Sequence, residues 1–269
     1  MSIRLLTEKD RAVLHALAAQ QPEQNLYLLG NLESVGFTQD FCTFWGDFSA
    51  GGTLRGVANR YFTGWSIYGL SNADWRALAA LVDADPNAAR LQDNPGGTPS
   101  LLPFLITYGA ARIDVEELMR LDCAHFRAQE APQGWRVRRA IPADLDALAD
   151  FYAEAGDMAR TRAGTERPLR DGRVFVAVDS FGHIGAAALT NAETRTQPLL
   201  AMIGGVYTAP ALRGQGLGKA VCSALCASLC SGGTTPILYW QHPSAGRIYR
   251  ALGFRPIGSW RSIWLVRQK

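Results

Sequence analysis

Three glycines, Gly214, Gly216 and Gly218, stand at alternate positions between two apolar stretches. Ala201–Thr208 before them predicts a strand, and the small and apolar run Leu217–Ser231 after them predicts a buried helix. A chain that passes from a buried strand through such a turn into a buried helix is committed to a layered α/β architecture. Arg213 and Lys219 flank the glycines. Without side chains, the backbone N–H groups of the turn can approach an anion. The first turn of the helix adds unpaired donors and a partial positive charge. Alternating glycines alone serve a plain structural turn as readily as a phosphate cradle. A P-loop is disfavoured, because the turn lacks the Gly-Lys-Ser/Thr ending.

The order of elements extends the constraint to the whole chain. From Trp135 onward the pattern predicts strand 135–140, helix 145–155, a polar helix or loop 157–170, and strands 174–178, 184–189 and 201–208. The glycine turn and its helix follow, then strand 237–240, helix 244–252 capped by Gly253, and strands 255–260 and 262–267. The first half has nearly the same order. Strand 3–6 and helix 12–19 lead to a short helix or turn at 25–32. Strands 41–48, 53–62 and 66–70 precede an amphipathic helix 72–83, with Ser71 as its candidate cap. A strand end at 91–93, a loop Asn94-Pro95-Gly96-Gly97, a short helix 99–108 and a closing pair of strands at 111–121, with a helix at Val115-Glu116-Glu117-Leu118 as the alternative, complete the copy. Two copies of one fold in tandem are expected. Residues 122–134 show no period and contain Pro132 and Gly134, so the expected division is 1–121, a linker 122–134, and 135–269.

Composition narrows the function classes. The net charge of +3 is unevenly placed: residues 1–130 carry 10 Lys/Arg against 15 Asp/Glu, and residues 131–269 carry 17 against 9. A basic second half suits a polyanionic ligand there. The positive charge forms no run or stripe, which argues against nucleic acid. Five cysteines in no paired spacing predict a reduced, cytoplasmic protein. No signal-peptide pattern and no membrane-length apolar run is present in the sequence. Cys222, Cys226 and Cys230 recur every fourth residue along the predicted helix, which is poor tetrahedral geometry, so core packing is expected and no metal.

Arg213-Gly214-Gln215-Gly216-Leu217-Gly218 resembles the Arg/Gln-x-x-Gly-x-Gly/Ala signature of the GNAT superfamily of N-acetyltransferases, and Val206-Tyr207-Thr208-Ala209-Pro210 resembles its usual approach. A second block, His242 through Tyr249 to Gly253-Phe254, resembles the family's Asn-x-x-Ala/Ser-x-x-x-Tyr-x-x-x-Gly-Phe segment. The resemblance covers about residues 136–269; for residues 1–121 only element order supports the fold. It implies an α/β (α+β) fold of two tandem GNAT-like domains, each a central mixed, mostly antiparallel sheet flanked by helices. It also implies acetyl-coenzyme A as co-substrate and direct transfer of the acetyl group to a primary amine. The pyrophosphate would rest on the N–H groups of Gly214, Gly216, Leu217, Gly218 and Lys219, with Arg213 either adding charge or ordering the loop. The strand before the turn would splay from its neighbour. Val206, Tyr207 and Thr208 would then line the pantetheine arm, an N–H at Val206 facing the thioester oxygen. Tyr249 takes the place of the general acid that protonates the leaving thiolate; the other reading is a core tyrosine.

His242 departs from the family's Asn and either donates to the coenzyme or only leads into the helix before Pro243. The general base is open, with Glu193 and Glu154 as candidates. The first copy reads Ser71-Asn72-Ala73-Asp74-Trp75 where the glycine turn would lie, so it is expected to have lost coenzyme binding. A non-catalytic acyl-coenzyme A sensor of the same fold is the alternative reading. The partners expected are a coenzyme A thioester and an amine, with a monomeric or homodimeric protein.

Overall fold

Two arginine–aspartate corners, six residues from arginine to aspartate in each, show how this sequence builds the same scaffold twice. In the first, Arg4 donates through both terminal nitrogens to Asp10, at 2.9 and 2.6 Å, and the Thr7 N–H donates to the same carboxylate at 2.9 Å. In the second, Arg138 donates twice to Asp144 at 2.7 Å, and the Ile141 N–H donates to it at 2.7 Å. Each corner turns an edge strand into a helical segment and satisfies the N–H of its cap residue with a charged acceptor.

The computed structural model describes residues 3–93 and 101–268. The chain forms two compact units, Met1–Leu118 with Gly258–Lys269, and Met119–Ile257. The first unit contains strand β1 (Ile3–Leu5), helices α1 (Arg11–Ala18) and α2 (Leu26–Ser34), and strands β2 (Cys42–Phe48), β3 (Leu54–Tyr61) and β4 (Gly64–Gly69). Helix α3 (Trp75–Ala84), strand β5 (Arg90–Asp93) and most of strand β6 (Tyr108–Arg120) follow. Trp75, Leu78, Ala79 and Val82 form the buried stripe of α3 and pack with Ala58 and Ile67 of the sheet.

The second unit contains β7 (Arg136–Arg139), α4 (Leu145–Ala153), α5 (Arg162–Asp171), β8 (Val174–Val178), β9 (Ile184–Glu193) and β10 (Leu200–Thr208). Helix α6 (Leu217–Ser231), strand β11 (Thr235–Trp240) and helix α7 (Pro243–Leu252) complete it, with the start of strand β12 (Arg255–Arg267). Its strands run in the order β11-β10-β9-β8-β7, antiparallel apart from the parallel pair β10 and β11. Helix α6 buries Leu217, Val221, Leu225 and Leu229 along with Cys222 and Cys226, against Ala186, Ala188, Ala201 and Ile203 of the sheet. Each such leucine or valine stabilises by about 1.5–3 kcal/mol, which fixes the start of the helix against β10. On the opposite face, α4 packs Leu148 and Tyr152 with Val174, Val176, Leu189 and Tyr207.

Several local expectations change. The two closing strands expected at 255–260 and 262–267 are one strand, β12, whose part from Gly258 belongs to the first unit because Arg261–Trp264 pair antiparallel with Arg90–Asp93. The pair expected at 111–121 is likewise one strand, β6. Asp74 rather than Ser71 caps α3, accepting from the Ala77 N–H at 3.0 Å. The loop expected at Asn94–Gly97 lies outside the described residues, and the expected helix at 99–108 is, where described, a short 3-10 turn at Leu102–Phe104.

Residues 122–134, expected as a linker, fall within the second unit. Cys123 is joined to Cys230 at the end of α6 by a disulfide, with Cα atoms 5.5 Å apart. The Arg127 N–H donates to Leu252 O at 3.0 Å and the Gln129 N–H to Ser223 Oγ at 2.8 Å. This pairing corrects the expected set of unpaired cysteines. A separation of 107 residues hides it from any local spacing rule. Cys42, Cys222 and Cys226 are in no disulfide and are buried. Among the described residues no helix is long and apolar enough to cross a membrane.

Candidate active site

Strand β10 loses its regularity just before the glycine turn. Leu200–Met202 run parallel beside Thr235–Ile237, and beyond Ile237 the two strands pair no further. On its other edge β10 shifts register twice against β9, once between Met202 and Ile203 and again between Gly204 and Tyr207. At the second shift Gly204 faces Leu189 and Tyr207 faces Ala187, so Gly205 and Val206 together oppose one residue. Such a bulge leaves an extra residue outside the ladder, with its N–H free to turn to the open edge. Gly205 is there at φ +57°, and a Cβ on it would come within 3.0 Å of Tyr152 Oη. Tyr152 fastens the bulge from below, donating from its hydroxyl to Gly205 O at 2.6 Å. Tyr207 repeats the tie one step on, donating to Glu154 O at 3.1 Å.

The glycine turn follows directly. Gly214 and Gly216 have φ of +81° and +89°, in the left-handed region that a side chain resists. Gly216 is the N-cap of α6 and offers no side chain to its N–H groups. The first of them to find an acceptor in the helix is that of Ala220, bonded to Gly216 O at 3.0 Å. Those of Leu217, Gly218 and Lys219 have none by helix geometry. A Cβ on Gly218 would stand 3.0 Å from Thr208 Oγ1, so the bare residue lets the helix start close to the strand end. Arg213 donates from Nε to Thr208 O at 3.3 Å and lies with its guanidinium 6.0 Å from the Tyr207 ring centre. Pro132 closes the other side, 3.5 Å from where a Cβ on Gly216 would be.

Tyr249 comes from α7 into the core beneath α6, its ring 5.9 Å from that of Phe254. Among the described residues its hydroxyl makes no hydrogen bond. Burial raises its pKa well above the usual tyrosine value, with Cys222 and Cys226 adding to the effect, so the group stays protonated. Burial likewise pushes the Cys222 thiol up to about 12, which makes it inert. His242 is the N-cap of α7, its Nδ1 2.8 Å from Ser244 Oγ.

Glu193 stands apart from this group. It pairs across from Ala201, five residues before Val206, or about 16 Å along an extended strand. Its carboxylate accepts from Thr190 Oγ1 at 2.6 Å and pairs with Arg173 at 3.6 Å. The backbone of Glu154, the other candidate, lies beside the bulge, where its carbonyl oxygen accepts from Tyr207. Among the described residues no cluster of three or more His, Cys, Asp or Glu is placed to hold a metal.

Residues 170–256, which contain β10, the turn, α6 and Tyr249, match the profile of the acetyltransferase (GNAT) domain. This part of the chain is similar to GNAT acetyltransferase domains. Solved structures extend the GNAT fold to both units. A tandem GNAT protein from the clavulanic acid biosynthesis pathway superposes with a TM-score of 0.65 at 17% identity, covering 98% of each chain. A GCN5-related N-acetyltransferase from Sphaerobacter thermophilus gives 0.67 at 19% identity, covering 99% of this chain and 94% of that one. A GCN5-related N-acetyltransferase-like protein from Streptococcus suis gives 0.65 at 13% identity, covering 97% and 100%. No curated protein matches the chain in sequence. At these identities the likeness is one of fold: the chain has the fold of the tandem GNAT proteins.

Sequence reasoning misses three parts of this candidate site. Tyr152 reads as one more inward residue of an amphipathic helix, and nothing local reveals that its hydroxyl reaches a bulge. Asn191 looks like an ordinary strand residue, yet its amide nitrogen fills the place that a side chain on Gly204 would take. Pro132 belongs to a stretch with no periodicity at all. The adjacent Gly204-Gly205 pair inside a strand is the available signal, since glycine in a strand interior marks a bulge or a close approach.

Proposed function

We propose that the protein transfers an acetyl group from acetyl-coenzyme A to a primary amine, using one active site in the second unit. The observation that carries this reading is the uncapped start of α6 behind a bulged and splayed β10. The cradle suits a pyrophosphate: two glycines at positive φ, three backbone donors without acceptors, and Arg213 and Lys219 on either side. The open edge of β10 from Thr208 back to Val206 suits a pantetheine arm, which would bond to the strand as an added strand does. His242 can reach the coenzyme only through Nε2, because Nδ1 is engaged by Ser244.

The thioester supplies an activated acyl carbon and a thiolate leaving group. The chain supplies the rest. The N–H at Val206, turned outward by the bulge, donates to the oxyanion as negative charge develops there. It is preorganised, since Tyr152 and Tyr207 hold both sides of the bulge. Tyr249 Oη holds the proton that the departing sulfur takes. A tyrosine kept protonated by burial suits an acid better than a base. The amine's own proton leaves to water or to Glu154; Glu193, already paired with Arg173, is not assigned this role.

The test is release of free thiol from acetyl-coenzyme A against a panel of amines. Thiol release that depends on the amine, with the acetylated amine found by mass spectrometry, supports the proposal. Tight coenzyme binding with no turnover of any amine would replace it by the sensor reading.

A further inference from the structure

Most half-buried guanidiniums of the second unit that reach the sheet have a carboxylate. Arg138 has Asp144, and Arg173 has Glu193. Arg160 is different. It stands between α4 and α5 and is half-buried. Its Nη2 donates to Asn191 Oδ1 at 2.7 Å, and its guanidinium carbon lies 5.6 Å from the Tyr152 ring centre. Among the described residues no carboxylate pairs with it. Among the described residues one of its five N–H donors is therefore used, and the charge is permanent.

Both of its contacts lead to the bulge. Asn191 is the residue whose amide occupies the side-chain place of Gly204, and Tyr152 is the residue whose hydroxyl holds Gly205 O. Arg160 is thus positioned on the backbone that would present the acyl carbon. It is also on the correct face for a second substrate. Ile203 and Val206 pack toward α6, where the glycine turn lies. Tyr152 and Tyr207 belong to the core on the α4 side. A cation on the α4 side does not compete for the pyrophosphate at the start of α6.

Resting on the acyltransferase reading above, we infer that the amine acceptor carries a carboxylate, and that Arg160 binds it. A planar guanidinium with paired donors matches a carboxylate in a two-point contact. Asn191, held by Arg160 on one side and by Gly204 on the other, keeps the fork aimed. The acceptor class is therefore small amino acids or other amines bearing a nearby carboxylate. Arg160 is a specificity-determining residue of the same site.

Two measurements test this. The first compares kcat/KM for glycine, alanine and β-alanine with that for methylamine and ethylamine, which lack only the carboxylate. The carboxylate should favour turnover by about 10- to 100-fold, mostly through KM. Arg160→Gln should erase that ratio and Arg160→Lys should restore part of it, because lysine keeps the charge without the fork. The second titrates N-acetylglycine and N-methylacetamide calorimetrically in the presence of coenzyme A, into wild type and Arg160→Gln, with circular dichroism checking the fold. Binding of the carboxylate ligand alone, and its loss in Arg160→Gln, is the expected result. Turnover indifferent to the carboxylate overturns this inference and leaves the acyltransferase reading standing. Arg160-dependent binding with no turnover of any amine removes the acyltransferase reading and keeps the carboxylate site. Neither turnover nor Arg160-dependent binding removes both.

Discussion

The starts of α3 and α6 occupy the same place in the two copies of the fold and have opposite chemistry. Strand β4 pairs in parallel with β5 over Gly64–Ser66, and β10 pairs in parallel with β11 over Leu200–Met202; each then leads to a helix. At α3 donors are already taken by carboxylates. Asp74 accepts from the Ala77 N–H, and its own N–H donates to the fully buried carboxylate of Asp47 at 2.8 Å. Two carboxylates, that of Asp74 and that of Asp47 paired with Arg55 at 2.7 Å, stand where a phosphate would go and leave no place for an anion. At α6 the cap is a left-handed glycine and the donors are bare. The strands differ in the same sense. The β3–β4 ladder runs from Gly56–Gly69 to Tyr61–Gly64 without a register shift, whereas β9–β10 shifts twice. In the first copy the ladder and the cap are complete. The copy that fits a coenzyme is the one in which the ladder and the cap are left incomplete.

The largest effect should come from giving the second copy the first copy's closed turn. Gly216→Val forces a branched side chain into φ +89° beside Pro132 and covers the first-turn donors. Coenzyme affinity measured by calorimetry should fall at least about 100-fold, with the circular dichroism spectrum retained. Unchanged affinity would place the pyrophosphate elsewhere. In the first unit, Asp74→Gly uncaps α3 but leaves Asp47 in place, and it should create no coenzyme site.

The two copies also differ in how much of each is legible in the amino-acid sequence. Spaced glycines between a strand and a helix are a local pattern, as is the Tyr249–Phe254 block, so the turn is legible in Arg213–Lys219. The matching order of elements is legible too, because hydrophobic period survives divergence. Arg4–Asp10 and Arg138–Asp144 carry the same repeat in explicit form, but two charged residues six apart attract no notice without knowing that each closes a corner. The bulge shows in the sequence only as Gly204-Gly205. What it presents depends on Tyr152 and Asn191, which are distant in sequence and meet it only after the sheet has formed. The pairing of the end of β12 escapes the sequence because a ladder that spans more than 160 residues has no local signature.

The second copy has a further device without a counterpart in the first. Its Cys123–Cys230 disulfide closes a chain segment of 107 residues and ties residues 122–134 to the helix that begins at the glycine turn. Cys230→Ser, or reduction of the native protein, should lower unfolding stability by about 2–4 kcal/mol in denaturant titration. Alkylation under native conditions should then label Cys123 and leave the buried Cys42, Cys222 and Cys226 unmodified. Stability insensitive to reductant would show that backbone bonds such as Arg127 to Leu252 hold the segment alone.

Tyr249 lies in the second copy's core, and its worth to the reaction can be separated from its worth to packing. Tyr249→Phe keeps the ring and removes only the hydroxyl that carries the proton. We expect kcat to fall about 10- to 100-fold, at the low end for a general acid because a thiolate is a good leaving group. Coenzyme affinity should hold. Since the pKa is raised, the acid is fully protonated at pH 7–10, and wild-type kcat should show no alkaline loss in that range. Equal kcat in the phenylalanine variant would make Tyr249 a core residue only.

The smallest effect sharpens the comparison from its other side, where the copies agree. Asp10 and Asp144 are both held below the ordinary carboxylate range, first by the hydrogen bonds from Arg4 and Arg138, then by the N–H of Thr7 and of Ile141. A depressed carboxylate contributes stability that is fully present above its unfolded value, about 3.9, and is lost as pH falls through the folded value. Asp10→Asn and Asp144→Asn should each cost about 1–2 kcal/mol at pH 7, by loss of a charged cap and its arginine. The difference from wild type should shrink as the pH is lowered below 4, because the wild-type carboxylates then take up protons. Neither change touches the glycine turn, so the copies should respond alike in stability while only the second responds in coenzyme affinity to changes at its turn. A cost at Asp144 with none at Asp10 would mean that the first corner no longer supports its unit. The shared scaffold would then have decayed along with the site.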